Sequence, residues 1–483
     1  MKFSFISNGY TNIRNTIKNA SAPVKASIFF MIGSTLQQSI SIITTPIFTR
    51  ILSQNDYGIT NVYLSWYGIL SVIITLSLTA GVYYNAMLDF KDEIDEFTSS
   101  MLILTTLSTC IFFTIYIIFQ SRITRLLNLP TVLIYIMFLA ILLNSAMGFW
   151  MAQQRFNYKY KLSVTISVFI TIFGAVFSYL IVTNMAGDKA VGKIIGGFIF
   201  TAIVSVIMYI SIILKGKTAF NYKYWKYALS FNLPLIPHYL SNIVLAQSDK
   251  ILISKMVGNA EAGLYGVAYS AASVITIVWT SINASWIPWT FKKMRDKQYE
   301  DIKRLTNYIV IFCQIACVGF VSLAPEIIRI LAAPSYYEAI WVVPPVVLGV
   351  YFTFLYTLFA NIEFYYKKTK LIMVASIIAA VANVILNIIF IPIFGYIAAA
   401  YTTLISYIIF SFMHYFFMIR ITNKKIYDIR FIFLSSLILI LASFGIMCLY
   451  DYFIIRYIII VIVLVIMIIK RKDILTTIKQ IKE

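Results

Sequence analysis

The sequence predicts an all-α membrane protein with about fourteen transmembrane helices. Of the 483 residues, 60% are hydrophobic and only 12% are charged, about half the charged fraction that is usual in soluble domains. Apolar runs of about 20 residues, long enough to cross a bilayer as helices, recur along the chain with short polar gaps. Strands of a membrane barrel would instead show about ten residues of alternating pattern.

The predicted spans form two sets of six helices and a final pair. The first set occupies 25–48, 57–84, 98–119, 131–150, 162–184 and 190–214. The second set occupies 227–254, 263–290, 305–331, 338–362, 371–391 and 396–419, and the final pair 431–449 and 453–469. We therefore divide the chain into an N-terminal tail (1–24), two six-helix bundles (25–214 and 227–420) joined by a linker (215–226), and two additional helices with a tail (421–483).

The basic residues predict the orientation of these spans. Most of the 39 Lys and Arg residues fall in the two tails and in the gaps that follow even-numbered spans. Because basic loops stay on the cytoplasmic side, we expect both termini and the linker to be cytoplasmic. A net charge of +20 would indicate nucleic-acid binding in a soluble protein, but here anionic lipid headgroups account for it, so no nucleic acid is expected.

One short pattern occurs twice in the chain. Arg50 is followed by Asp56-Tyr57-Gly58, and Lys255 is followed by Glu261 and then Tyr265-Gly266. Each copy has an apolar helix, a cation, a short polar loop with an acid, and a Tyr-Gly pair that opens the next helix. An even number of spans separates the copies, so the repeats would be parallel, related by an axis along the membrane normal. Two such bundles around a central cavity are typical of an alternating-access carrier.

Known catalytic and metal-binding motifs are missing from the sequence. Its two histidines, His238 and His414, are far apart, and no GxxxxGK[ST] loop, HExxH motif or paired Asp-rich motif occurs. Cys313 and Cys317 share a helix face, but two thiols without clustered histidines make a poor metal site. We therefore expect no enzyme activity, no cofactor and no metal centre.

Polar side chains inside the spans are the remaining candidates for function, because a charge near the bilayer centre costs about 2.5–3.5 kcal/mol. Gln37 in the first span and Asn61 in the second suit either a polar cavity or helix packing. Near the end of the ninth span, Glu326 and Arg329 are three residues apart and are expected to pair with each other. Lys193 is expected to extend from the sixth span to the lipid headgroups.

The seventh span has the most specific pattern. Pro234 and Pro237 predict a kink or break, and His238, Asn242 and Asp249 follow on one face of the helix. Lys250 is the neighbour of Asp249. These two charges form either a neutralised structural pair or a gate or substrate-binding pair, and the spacing leaves both interpretations open.

Five short motifs occur in order between about residues 24 and 412. They are Pro46–Ser53 with Asp56-Tyr57-Gly58; Leu233–Pro237 with Ser248-Asp249-Lys250; Gly263–Gly266; Ala324-Pro325-Glu326; and Asn383, Asn387, Pro392 and Gly395 with Ala398-Ala399-Ala400. Together they resemble the polysaccharide-transport flippases, the Wzx-type branch of the multidrug/oligosaccharidyl-lipid/polysaccharide exporter superfamily. Where that family often has Arg after the Asp of the seventh span, this chain has Lys250, so bidentate phosphate binding is not expected there.

The resemblance implies a flippase that moves an undecaprenyl-diphosphate-linked oligosaccharide from the inner to the outer leaflet of a bacterial plasma membrane. Capsule, O-antigen or exopolysaccharide would be the final product, and the implied partners are membrane lipids, a polysaccharide polymerase, chain-length machinery and a coupling ion, Na+ or H+. The residues implied for the cationic sugar and diphosphate pathway are Arg50, Lys250, Lys255, Gln37, Asn61 and Asn242. Those implied for ion coupling or gating are Asp249, Glu363 and His238.

Two other classes of protein remain as alternatives. An ion-coupled drug or cation antiporter of the same superfamily would be expected to have twelve spans and more buried carboxylates than cations. A membrane enzyme such as a polysaccharide polymerase or ligase would be expected to have a large external loop rich in Arg and His. Transport of lipid II is a close variant of the flippase interpretation.

Overall fold

The computed structural model describes residues 22–469, and in that range it contains helices and no strands. The first half consists of α1 (Ala22–Ile51), α2 (Gln54–Ile74), α3 (Gly81–Asp89), α4 (Ile94–Ile118), α5 (Gln120–Leu127), α6 (Thr131–Phe156), α7 (Tyr160–Asn184) and α8 (Lys189–Gly216). The second half consists of α9 (Tyr222–Asn232), α10 (Ile236–Met256), α11 (Asn259–Arg295), α12 (Tyr299–Ser322), α13 (Ala324–Leu331), α14 (Val343–Tyr365), α15 (Thr369–Phe394), α16 (Ile397–Thr422), α17 (Ile429–Met447) and α18 (Phe453–Ile469). The predicted tails lie almost entirely outside the described residues.

The predicted all-α polytopic fold is confirmed, although the number of fourteen spans is not. Within residues 22–469, twelve helices are long and apolar enough to cross a membrane: α1, α2, α4, α6, α7, α8, α11, α12, α14, α15, α16 and α17. The predicted seventh and fourteenth spans correspond to α10 and α18, which are not among these twelve. Helix α10 carries Asp249, Lys250 and Lys255, which make it more polar than its neighbours.

Several predicted spans are interrupted, including the ninth, 305–331, in which α12 ends at Ser322 and α13 begins at Ala324. The seventh is broken as its prolines predict, because α9 ends at Asn232, a 3-10 turn covers Leu233–Leu235, and α10 begins at Ile236. The second was predicted as one helix over 57–84, which is wrong, since α2 ends at Ile74 and α3 begins at Gly81. Between these two helices, Leu76 and Ser77 have φ angles of 53° and 50°. These angles lie in the left-handed region, in which a right-handed helix cannot continue.

Most contacts between helices join two helices of the same half. In the first half, α8 lies against α4, α6 and α7, and α1 lies against α7. In the second half, α16 lies against α14 and α15, and α10 lies against α15. The halves meet where α2 packs on both α10 and α11, and α17 and α18 lie outside them against α12. We call the contact of α2 with α10 and α11 the central seam.

An ion pair fastens α18 to the rest of the protein. Arg456 donates to both carboxylate oxygens of Glu326, at 2.8 and 2.9 Å, and to the backbone oxygen of Ser322 at 2.9 Å. The expectation that Glu326 pairs with Arg329 is therefore wrong. A residue 130 positions away supplies the cation, because α18 packs against α12, which ends at Ser322.

Candidate functional site

The two Tyr-Gly motifs face each other at one end of the central seam. Gly58 lies at the start of α2 and Gly263 at the start of α11. A Cβ atom on Gly58 would overlap the backbone carbonyl of Asn259, and one on Gly263 would overlap that of Gln54. The backbones of the two halves are thus in direct contact, and only residues without side chains permit this approach. We call this contact the closed end of the seam.

Hydrogen bonds reinforce the closed end. Thr49 donates from its hydroxyl to the carbonyl of Leu331 at 3.2 Å, and Gln54 donates to the carbonyl of Ser335. The exposed guanidinium of Arg50 donates to the carbonyls of Pro46 at 2.7 Å and Ile330 at 3.5 Å. Each of these bonds between the halves therefore joins the end of α1 or the start of α2 to the end of α13 or the segment that follows it.

Lys250 lies in the middle of the seam and points towards α2. Its Nζ donates to Oε1 of Gln247 at 3.1 Å, and the hydroxyl of Ser65 on α2 donates to the same oxygen at 3.2 Å. The ammonium also lies 5.5 Å from the ring centre of Tyr269. Among residues 22–469, no carboxylate lies within 4.0 Å of this ammonium, so Asp249 does not form an ion pair with it.

A polar pocket lies at the opposite end of the seam from the Tyr-Gly contact. It has a volume of about 340 Å³ and is formed by the end of α2, the turn that follows and the start of α10. Its polar lining is Ser71, Thr75, Ser77, Thr79, Tyr239 and Asn242. The seam is therefore closed at one end and hollow at the other.

Asp249 points away from the seam into the second half. One carboxylate oxygen accepts hydrogen bonds from the hydroxyls of Tyr265 at 2.5 Å and Thr403 at 2.7 Å. The other accepts from the amide of Asn387 at 2.7 Å, and that residue is bound in turn by Thr402. The carboxylate is 1% exposed, so three donors from α11, α15 and α16 replace its water.

A second buried acid lies in the same half of the protein. Oε1 of Glu363 on α14 lies 2.7 Å from Nδ1 of His414 on α16, and both side chains are fully buried. Oε2 of Glu363 and Nε2 of His414 have no hydrogen-bond partner among the described residues. The carboxyl of Glu363 and the imidazole of His414 can thus share a proton, and each has one further atom that could form a hydrogen bond.

Comparison with known proteins identifies the family. Residues 24–294 match the family described as polysaccharide biosynthesis protein. The chain belongs to this family. It is 25% identical over 169 residues to the Lsg locus putative protein 1 of Haemophilus influenzae, a match that covers 33% of this chain and 40% of that protein. It is 24% identical over 241 residues to an uncharacterised membrane protein of Methanocaldococcus jannaschii, covering 47% of this chain and 46% of that protein. Each match thus spans less than half of the relative.

Solved structures share the fold of this family member. The lipid II flippase MurJ in an inward closed conformation superposes with a TM-score of 0.68 at 19% identity, covering 92% of this chain and 100% of that chain. An inward-facing multidrug resistance transporter of the MATE family superposes with a TM-score of 0.62 at 14% identity, covering 80% and 95%. The family that the motifs indicate is confirmed by the match over residues 24–294, and these superpositions show that its fold is shared with both transporters.

The other residues predicted for the pathway lie in different surroundings in this family member. Asn61 packs against Gly266 in the seam and donates to the carbonyl of Tyr57 at 3.1 Å. Lys255 is exposed, 6.0 Å from the ring centre of Trp66. The amide of Gln37 donates to a carbonyl of its own helix at 3.2 Å.

Histidines occupy two different environments. His238 is half-buried, with Nδ1 3.3 Å from the hydroxyl of Ser376 and Nε2 3.4 Å from the amide of Asn242. His414 was not among the predicted site residues, although it contacts Glu363, which was. Its only sequence signal was its rarity, since nothing local to α16 indicates a partner 51 residues away.

Proposed function

We propose that this family member is a flippase for undecaprenyl-diphosphate-linked oligosaccharide repeat units. It carries them from the cytoplasmic to the outer leaflet of a bacterial plasma membrane by alternating access between two bundles (25–214 and 227–420). Both termini are cytoplasmic, and a polysaccharide polymerase with its chain-length machinery uses the delivered units to build capsule, O-antigen or exopolysaccharide. The observation that carries the proposal is the position of Lys250.

Lys250 has the properties that a diphosphate site needs. Its ammonium lies in the contact between the halves and donates a hydrogen bond to the neutral amide of Gln247. A cation without a carboxylate partner in a desolvated place favours an anionic ligand, because charge-assisted hydrogen bonds are stronger there than in water. The acidic neighbour Asp249 faces the other way, so it does not repel the phosphates at short range.

Arg50 and Lys255 extend the cationic path towards the closed end. Both are exposed, and the guanidinium of Arg50 is bonded to backbone carbonyls of its own helix and of α13. Separation of the halves at this end would break the bond to Ile330 and free a fork-shaped donor for phosphate. A diphosphate leaving Lys250 would thus meet a second cation as the closed end opens.

Asn61, Asn242 and Gln37 are the proposed sugar contacts. Asn242 lines the hollow end of the seam, whereas Asn61 lies near the closed end. Amide side chains both donate and accept, so they match sugar hydroxyls. The lipid tail remains in the bilayer while the polar part passes between the halves.

Ion coupling is the second part of the proposal. Hydroxyl and amide groups surround Asp249, and such oxygen-rich surroundings suit Na+. The shared contact of Glu363 with His414 suits H+, because both groups change charge when they take up or release a proton. His238, 3.3 Å from Ser376, is the proposed gating residue beside them.

The drug or cation antiporter is the alternative function, and two observations favour it. Twelve helices of the described residues are long and apolar enough to cross a membrane, which is the number expected for that class. Two carboxylates, Asp249 and Glu363, are also buried in one half of the protein, and buried carboxylates are suited to bind a cation. Lys250 argues against that function, since a fixed cation in the seam repels cationic drugs.

Deletion of the gene in its host distinguishes the two functions. Lipid-linked oligosaccharides would be measured by mass spectrometry, and their outer-leaflet fraction by an impermeant glycan-modifying reagent. We expect complete lipid-linked units to accumulate in the inner leaflet while the surface glycan is lost. Unchanged lipid-linked units together with increased uptake of cationic dyes would contradict the flippase and favour the antiporter.

A further inference from the structure

A second cavity, which contains a lysine, lies inside the first half, away from the central seam. Its volume is about 470 Å³, and α1, α2, α6, α7 and α8 all contribute to it. The polar residues in its lining are Ser41, Thr44, Tyr63, Tyr67, Asn144, Thr171, Ser178, Lys193 and Thr201. It contains Lys193, which the sequence had suggested would extend to the lipid headgroups.

Lys193 is held in this cavity by neutral groups. Its ammonium donates to the hydroxyl of Thr60 at 3.3 Å and lies 4.8 and 4.3 Å from the ring centres of Phe48 and Tyr57. Within residues 22–469, no carboxylate lies within 4.0 Å of it. An ammonium has three donors, so one hydroxyl and two ring faces leave part of its hydrogen-bonding capacity and its charge unmatched.

The backbone that carries Lys193 is firmly positioned. The hydroxyl of Ser178 on α7 donates to the backbone oxygen of Lys193 at 2.8 Å. A Cβ atom on Gly196, one turn along α8, would meet the backbone of Ser178 at 2.5 Å. Because α7 and α8 are in such close contact, the lysine is directed into the cavity by the packing of the helices.

Hydroxyl-binding groups line the same cavity. The amide nitrogen of Asn144 donates to the hydroxyl of Tyr67 at 2.8 Å, but its oxygen is buried without a hydrogen-bond partner in the described part of the chain. The hydroxyl of Tyr67, having accepted that bond, still has its own hydrogen to donate. The cavity lining therefore includes the amide oxygen of Asn144, which accepts no hydrogen bond from the described residues, and the ammonium of Lys193, which has no carboxylate partner among them.

We infer that this cavity binds a small polyhydroxylated group with one negative charge. Lys193 holds the anionic oxygen, the hydroxyl of Tyr67 donates to it or to a neighbouring oxygen, and the free oxygen of Asn144 accepts from a ligand hydroxyl. Two sources supply this chemistry, the glycerol phosphate headgroup of an anionic lipid and an acidic sugar of a glycan. The inference does not depend on the proposed transport function, because Lys193 and Asn144 take no part in the pathway along the seam.

Binding of soluble probes to the purified full-length chain tests the inference. The probes are glycerophosphoglycerol, a phosphodiester with one negative charge, and glucuronate, with glycerol and glucose as neutral controls, measured by equilibrium dialysis. We expect saturable binding of at least one anionic probe, and Lys193→Met should weaken it at least about tenfold because a hydrogen bond to a charged group is lost. Lys215→Met removes an exposed lysine of the same helix and should leave binding unchanged.

A second variant keeps the test valid if Lys193→Met does not fold. Asn144→Asp has nearly the same shape and brings a carboxylate into the cavity, which should also weaken binding of the anionic probe. Binding of the anionic probes with unchanged affinity in either folded variant, or no binding to the wild-type chain, would overturn the inference.

Lipid retention identifies the source of the ligand. Native mass spectrometry with mixed phosphatidylglycerol and phosphatidylethanolamine should show phosphatidylglycerol kept by the wild-type chain and lost in Lys193→Met if the headgroup binds. Binding of glucuronate without preference for phosphatidylglycerol would assign the cavity to an acidic sugar. If neither lipid nor sugar distinguishes the wild-type chain from the variant, the cavity is not an anion site.

Discussion

The side chain of Asn61 lies directly against Gly266, so that a Cβ atom on the glycine would overlap the asparagine amide. One residue belongs to α2 and the other to α11, which makes this contact a measure of how closely the two halves approach. In an alternating-access carrier these residues must separate once in each cycle.

Closing of the seam depends on the glycines of the Tyr-Gly motifs. Gly58→Ala introduces a methyl group that overlaps the carbonyl of Asn259, so the closed end has to move apart. We expect a loss of about 1–3 kcal/mol of stability, typical of overpacked sites, and a loss of transport. Thermal unfolding of the purified protein and complementation of a deletion strain would measure the two effects.

Gly445→Ala is the matched control for this change. Gly445 lies in α17, and no atom of residues 22–469 lies within 4 Å of an added Cβ, so alanine there should be neutral or slightly stabilising. Equal loss of stability in both variants would contradict the role assigned to Gly58.

Lys250 should be essential for transport and dispensable for folding. Lys250→Met removes the cation from the seam while keeping a side chain of similar length, so we expect normal protein levels and a loss of flipping of at least about tenfold, the value of one charge-assisted hydrogen bond. Lys250→Arg keeps the charge and should retain part of the activity. Wild-type flipping by Lys250→Met, with Lys215→Met as the exposed control, would refute the assignment.

Glu363 and His414 should stabilise each other. Changing His414→Ala leaves a carboxylate with no partner in a fully buried place, and breaking a buried pair in this way costs about 3–5 kcal/mol. We expect a marked fall in the apparent melting temperature of His414→Ala and a smaller one for the double variant Glu363→Leu/His414→Leu, which removes both polar groups. Glu363→Leu and His414→Leu would also be measured singly, and a double variant whose loss of stability equals the sum of those two losses would show that the pair does not act as a unit.

Attachment of α18 should depend on pH. Burial of Glu326 opposes its ionisation, but the hydrogen bonds from Arg456 outweigh it and hold the pKa of Glu326 below its usual value. A carboxylate whose folded pKa is lowered contributes stability above its unfolded pKa, and the contribution is lost as the pH falls through the folded value. We therefore expect the α18 contact to weaken on acidification, as the pH falls through the lowered pKa of Glu326.

Hydrogen exchange of α18 at several pH values would measure this effect. Protection of the helix should fall on acidification in the wild-type chain. In Glu326→Gln, protection should be lower at neutral pH and should vary less with pH. An identical pH profile in the two proteins would exclude Glu326 as the titrating group.

Local sequence signals predicted some breaks in the helices and missed others. Pro234 and Pro237 identify the break before α10, because proline removes a backbone donor wherever it occurs. The break after α2 depends on the left-handed backbone of Leu76 and Ser77, and neither residue type indicates such a conformation. The number of about fourteen membrane spans is not confirmed, because in the described residues α10 carries three charged side chains and α18 is short, so neither is among the twelve helices long and apolar enough to cross a membrane.

Spacing in the sequence did not predict the side-chain partners, since Glu326 pairs with Arg456 and not with Arg329. Both Tyr-Gly pairs are visible as a repeat in the sequence, but only the structure reveals that they face each other. The partners of Glu326 and Glu363 come from helices 130 and 51 residues away, so only the packing of those helices reveals them. Lys193 was placed at the headgroups for the same reason, whereas α7 and α8 direct it into a cavity.

A reversible lock across the seam tests the central claim most directly. Asn61→Cys and Gly266→Cys would be combined with Cys110→Ala and Cys448→Ala, which remove the exposed native cysteines of the described chain. The close approach of the two positions suits a disulfide bond. Flipping of a lipid-linked oligosaccharide would be measured in vesicles with an impermeant glycan-modifying reagent, before and after oxidation. We predict that oxidation stops flipping and that reduction restores it; flipping at the same rate in the oxidised and reduced protein would contradict alternating access along this seam.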